Sequence, residues 1–135
     1  MLRTGILMQR ALTGRGAMLG GRLPRTYTTA QESGERKFYM LHYKYVPDVL
    51  EKRGPIRPQH LVYAQAARDS GLMRLGGAFV PPWKGAAIVL YGTEEQAREF
   101  PKNDPYVTGQ DGHEPIVTDY ELNEWTVVIG ADMPQ

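Results

Sequence analysis

The 135-residue chain has no cysteine. That excludes a disulfide framework, a thiolate zinc site, an iron–sulfur cluster and a cysteine nucleophile. Histidine is scarce: His42, His60 and His113 are the only three, and no His-x-x-x-His spacing occurs, so no metal site is expected. Ser33 and Ser70 are the only serines, and neither lies in a Gly-x-Ser-x-Gly nucleophile elbow. Glycine-rich phosphate loops of the standard kinds are absent. No apolar run reaches the ~18 residues that a membrane-spanning helix requires. A formal charge of +1 gives no reason to expect nucleic-acid binding.

Acidic residues are missing from one region in particular. Residues 1–31 hold Arg3, Arg10, Arg15, Arg22 and Arg25 but no Asp or Glu, the first acid being Glu32. The remainder has eleven basic residues against fifteen acids, so it is mildly acidic. Spaced Leu, Ile and Met residues and the hydroxyls of Thr4, Thr13, Thr26, Thr28 and Thr29 complete the composition of a mitochondrial transit peptide. A secretory signal would need an unbroken apolar core of about 7–15 residues, and Gly5-Ile6-Leu7-Met8 is cut short by Gln9 and Arg10. A basic arm for nucleic acid fits less well, since Lys is absent from the segment. The expected organisation is a targeting presequence over 1–27, cut near Thr26–Ala30, a polar linker over 28–36, one folded domain over 37–130, and a tail over 131–135. The mitochondrial matrix is the expected location.

Within the domain, Lys37–Val46 is aromatic-rich and alternating, so it reads as a strand ended by Pro47. Tyr39, Leu41, Tyr43 and Tyr45 mark one face, and Phe38, Met40, His42 and Lys44 the other. A helical turn is expected at Val49–Arg53. The clearest helix is Arg57–Ser70, with Pro58 in the first turn and Gly71 ending it. Its expected stripes are Leu61, Ala64, Gln65 and Arg68, and Val62, Ala66 and Asp69. Leu72–Val80 and Ala86–Tyr91 read as strands around a Pro81–Gly85 turn. Thr93 is a good N-cap for a helix that stops before Pro101. Asn103-Asp104-Pro105 reads as a loop, and Ile116–Ile129 as a strand broken near Asn123. This order is that of an α+β, ferredoxin-like βαββαβ protomer with an antiparallel sheet and helices on one side. Large apolar residues on both faces of the first strand require cover for the other side. In so small a domain a homodimer packing sheet on sheet supplies it most simply.

Few residues offer chemistry. His60 falls in the first turn of the main helix, where the dipole disfavours the imidazolium and keeps a neutral base available. Asp104 falls beside a proline that stiffens its surroundings. If the two meet, the carboxylate fixes the imidazole tautomer and stabilises its protonated form, giving a general acid–base dyad. If they do not, His60 is a helix-start residue and Asp104 a turn former. His42 lines a pocket or sits in an interface. His113, in a Gly-rich loop, reads as solvent-exposed. Trp83 in its turn gates a pocket or anchors a partner.

Taken together, Leu50-Glu51-Lys52-Arg53 with Arg57-Pro58-Gln59-His60-Leu61, Gly71-Leu72 leading to Gly76-Gly77, Gly85-Ala86-Ala87-Ile88-Val89 and Asn103-Asp104-Pro105-Tyr106-Val107 resemble the motifs of the YCII-related family. The resemblance spans about residues 37–130. It implies a dimeric α+β barrel of ferredoxin-like protomers with a cleft beside each helix. It carries a catalytic His–Asp pair onto His60 and Asp104, places Arg57 and Tyr106 in the cleft as substrate-binding neighbours, and requires no cofactor. The family includes enzymes that remove halide from chlorinated hydroxylated aromatics. The function expected on this basis is proton transfer, leading to elimination or isomerisation, on a small hydroxylated or carbonyl substrate. The alternative is a non-catalytic accessory subunit of a mitochondrial multiprotein complex that keeps the pair unused.

Overall fold

The structure, a computed structural model, describes residues 34–130. The expected presequence and tail, and all of the linker before Gly34, lie outside the described residues.

Eight elements follow one another: β1 Lys37–Tyr45, α1 Val49–Lys52, α2 Arg57–Asp69, β2 Met73–Ala78, β3 Gly85–Gly92, α3 Glu94–Asn103, α4 Pro105–Thr108 and β4 Val117–Trp125. The sheet runs β2-β3-β1-β4 with every neighbour antiparallel. This is the ferredoxin-like α+β topology, and β1 is one of its two inner strands. Alternation decides β1's role: Tyr39, Leu41 and Tyr43 are buried, whereas His42 and Lys44 are exposed. Leu41 lies opposite Ile88 on β3 and Leu122 on β4. The core fills the space between this sheet face and the helices, where Leu41, Ile56, Leu72, Leu90, Phe100 and Ile116 are fully buried. Burying each such side chain contributes about 1.5–3 kcal/mol.

Several elements differ from expectation for identifiable reasons. On α2 the inward line is Ile56, Tyr63 and Ala67, with Leu61 and Val62 on the outside. Composition could not choose among stripes on a helix whose apolar residues are spread around it. Gly71 takes φ +85°, the left-handed conformation that lets the chain leave α2. Helix α3 runs on through Pro101 to Asn103 rather than stopping before it. Proline removes one helical bond, but Phe100 and Pro101 are buried. The last-turn carbonyls also find side-chain donors, from Asn103 Nδ2 to Glu99 O at 3.0 Å and from Tyr63 Oη to Phe100 O at 2.7 Å. The start of α3 is as expected. Thr93 Oγ1 accepts from Gln96 N at 3.2 Å and Gln96 Oε1 accepts from Thr93 N at 2.9 Å, a complete capping box. Strand β4 is unbroken at Asn123, which pairs with Met40. It stops at Trp125, opposite Phe38, because β1 has almost no length left to pair with.

Candidate active site

Asp104 is not in an open loop. It ends α3 and caps α4, accepting from Tyr106 N at 2.9 Å. Pro105 suits the first position of that short helix, where its missing N–H costs nothing. The turn holds the Asp104 carboxylate completely buried. A buried charge is tolerable only when its lone pairs are satisfied, and here they are. Oδ1 accepts from the Tyr106 amide and lies 2.7 Å from His60 Nδ1. Oδ2 accepts from Tyr43 Oη at 2.8 Å. His60 and Asp104, 44 residues apart, therefore meet.

His60 reaches the pair from the first turn of α2, one turn after the buried anchor Ile56. Its ring stacks on Tyr106 with centroids 3.6 Å apart and planes 4° from parallel. Tyr106 in turn meets Tyr45 edge-on at 6.3 Å. The imidazole is thus fixed in plane by a ring and in rotation by a carboxylate. With Nδ1 donating to Asp104, Nε2 is the ring nitrogen left for outside chemistry.

Outside is a cleft of about 800 Å³ between α2 and the β2–β3 hairpin, lined by His60, Arg57, Tyr106, Trp83 and Leu61 among others. That size suits a small organic molecule. Burial raises the Tyr43 hydroxyl far above its ordinary value, and the Asp104 charge adds to the effect, so Tyr43 stays a donor. Burial also raises Tyr45, to about 12. Tyr106 is raised by burial, against the pull of the nearby Arg57 guanidinium. Its hydroxyl is buried and closes no hydrogen bond of good geometry.

Of the five residues expected at the site, four converge: His60, Asp104, Arg57 and Tyr106. His42 does not. It is exposed on the opposite face of the sheet, between Ala87 and Glu121, because strand alternation puts it out of phase with Tyr43. His113 is exposed in the turn that it closes with Gln110. Tyr43 escaped sequence reasoning, although one signal pointed to it: it shares the face of Leu41, and a buried tyrosine needs a partner for its hydroxyl. Arg53 was also missed; its guanidinium carbon lies 5.0 Å from the Trp83 ring centre, at the cleft wall. Among the described residues, no cluster of three or more His, Asp and Glu side chains could hold a metal ion, and no helix is long and apolar enough to cross a membrane.

Fold and site together define a ferredoxin-like α+β domain in which a buried carboxylate holds a partly exposed histidine beside a cleft. The YCII-related domain matches residues 37–126, and the chain belongs to that family. No curated protein matches the chain. Among solved structures it is similar to a 5-chloro-2-hydroxyhydroquinone dehydrochlorinase from Burkholderia phenoliruptrix, in complex with 2,5-dihydroxybenzoquinone. The TM-score is 0.54 at 15% identity, covering 66% of this chain and 93% of that one. At this identity the likeness speaks to the fold.

Proposed function

We propose that the protein is a cofactor-independent acid–base enzyme acting on a small hydroxylated or carbonyl substrate that carries an anionic group. The observation that carries this reading is the 2.7 Å contact between His60 Nδ1 and Asp104 Oδ1 at the edge of the cleft. In the reaction, Nε2 takes a proton from a carbon or oxygen of the substrate, and the electron pair left behind forms a new π bond. Asp104 stabilises the imidazolium by charge, without taking the proton itself. The imidazolium then returns the proton to a departing group, completing an elimination, or to another substrate atom, completing an isomerisation. Arg57 holds the substrate's anionic group, and Tyr106 keeps the imidazole in plane.

The active form is read as a homodimer. Phe38 and Tyr91, with ring centres 4.7 Å apart, and Met40 and Val89 form a half-covered apolar strip on the sheet face away from the helices. Leu75 and Trp125 flank it, 70% and 43% exposed. A second copy of the same sheet would cover this face. The acid-free, Arg-rich segment 1–31 supports a mitochondrial matrix location.

The reading is tested by screening hydroxylated and carbonyl metabolites for turnover by wild type and His60→Ala. The expected result is a substrate consumed by wild type and lost with His60→Ala, while circular dichroism shows a retained fold. A folded His60→Ala protein with full turnover would overturn the mechanism. Migration of the native protein at about twice its mass would support the free dimer. Comigration with a much larger mitochondrial assembly would turn the reading to an accessory subunit.

A further inference from the structure

Arg57 and His60 account for one end of the cleft. Along α2, Arg57, Leu61, Ala64 and Arg68 recur at spacings of three or four residues, so they share one stripe of the helix, and all four line the cleft. Arg57 and Arg68 are eleven positions apart, about 16 Å along the helix axis. Chain connectivity sorts two more cleft residues to these ends. Arg53 precedes α2, shares the Arg57 end and lies over Trp83 at 5.0 Å. Arg74, near the start of β2, follows the short turn after α2 and shares the Arg68 end. Between the two ends lie Leu61, Ala64, Gly76 and Gly77, all without charge.

Among the described residues no Asp or Glu lines the cleft, so these four arginines face no acid there. Among the described residues Arg53, Arg57 and Arg74 form no ion pair. Arg68 has only its neighbour Asp69 at 3.6 Å, a largely exposed pair that contributes little. Arg57 is also the first residue of α2, whose first turn has no acid, so its charge stands at the positive end of the helix dipole. Like charges gathered around one cavity, one of them set against a dipole, are unfavourable until a ligand supplies the counter-charge.

We infer that the cleft takes an elongated ligand with an anionic group at each end. One carboxylate or phosphate lies between Arg53 and Arg57 beside His60. The second lies between Arg68 and Arg74, and an uncharged middle passes over Leu61, Ala64 and Gly76-Gly77. The inference rests on the cleft being the substrate site, as proposed above, but does not require His60 to act as a base.

The test is calorimetric titration of the full chain with α,ω-dicarboxylates of increasing length, the matching monocarboxylates and the matching ω-phosphonocarboxylates. At one optimal length the doubly charged ligand binds at least about tenfold more tightly than the monocarboxylate. Arg57→Gln and, separately, Arg74→Gln each abolish that advantage, whereas only Arg57→Gln weakens the monocarboxylate. Tighter binding of the phosphono series marks a phosphate ligand, and the reverse order marks a carboxylate. Absence of binding, equal binding of singly and doubly charged ligands at every length, or an advantage that survives Arg74→Gln overturns the inference. Titration of His60→Gln separates the two readings. A length optimum kept in that variant, with no turnover by wild type on any compound, leaves the inference standing and the acid–base reading failed. Turnover of a singly charged substrate with no length optimum does the opposite.

Discussion

Tyr43→Phe removes a single oxygen from the most buried polar junction in the domain. Asp104 Oδ2 loses its 2.8 Å donor and has no water to replace it, since Asp104 is 0% exposed. A hydrogen bond to a charged group contributes about 1.5–3 kcal/mol, and a buried carboxylate oxygen left without its donor forfeits the upper part of that range. The expected loss of unfolding free energy is therefore about 2–3 kcal/mol. Asp104→Ala goes further. It strands the Tyr43 hydroxyl and the Tyr106 amide, removes the α4 cap and releases His60. At about 1–3 kcal/mol for each of these two stranded groups, the capped amide included, the loss is roughly 2–6 kcal/mol. That is a large part of the ~5–15 kcal/mol by which a domain is stable. Once Asp104 is gone the Tyr43 hydroxyl is stranded, so Tyr43→Phe in the Asp104→Ala background removes that penalty and recovers about 1–3 kcal/mol. The double-mutant cycle should therefore give a coupling of at least about 3 kcal/mol. Urea denaturation followed by circular dichroism at neutral pH measures all three variants. Single variants within about 0.5 kcal/mol of wild type, or effects that simply add, would refute the reasoning.

Two further predictions follow from the same packing. Burial raises Tyr43 and Tyr45, the latter to about 12, while unfolded tyrosines titrate near ~10. The fold holds protons that the unfolded chain releases, so this stability is whole below about pH 10 and is lost as pH rises from there toward 12. The urea midpoint should fall over that window, and less steeply in Tyr45→Phe. Gly85→Ala should destabilise strongly, by about 3 kcal/mol or more, because a Cβ there would collide with the Tyr43 carbonyl oxygen. Gly77→Ala meets nothing within 4 Å and should leave the thermal midpoint nearly unchanged.

The fold was legible because two local signals dominate it. Alternation in Lys37–Tyr45 and the Thr93/Gln96 cap announced an inner strand and a helix start, and element order then fixed the topology. Strand and helix ends were less legible where tertiary contacts override local preference. Pro101 is carried inside α3 by side chains from α2 and from α3's own last turn, and no local rule foresees the Tyr63 bond to Phe100 O. At the site, His60 and Asp104 were visible as residue types in suggestive places, but only folding brings them across 44 positions. Tyr43 was hidden because it looks like one more core aromatic. Of the cleft arginines only Arg57 was foreseen, through the family resemblance; Arg53, Arg68 and Arg74 were hidden because surface charge is usually only solvated. His42 fell on the opposite face, a consequence of the alternation that placed Tyr43 inside.

The most direct test of the acid–base account is proton transfer itself. For a substrate found in the screen whose conversion makes or breaks a C–H bond, deuterium uptake from heavy water into substrate and product is followed by proton NMR with wild type, His60→Gln and Asp104→Asn. The account predicts uptake at one carbon with wild type and a fall of about a hundredfold or more in both variants, with folds intact by circular dichroism. Uptake at the wild-type rate in folded His60→Gln would contradict it.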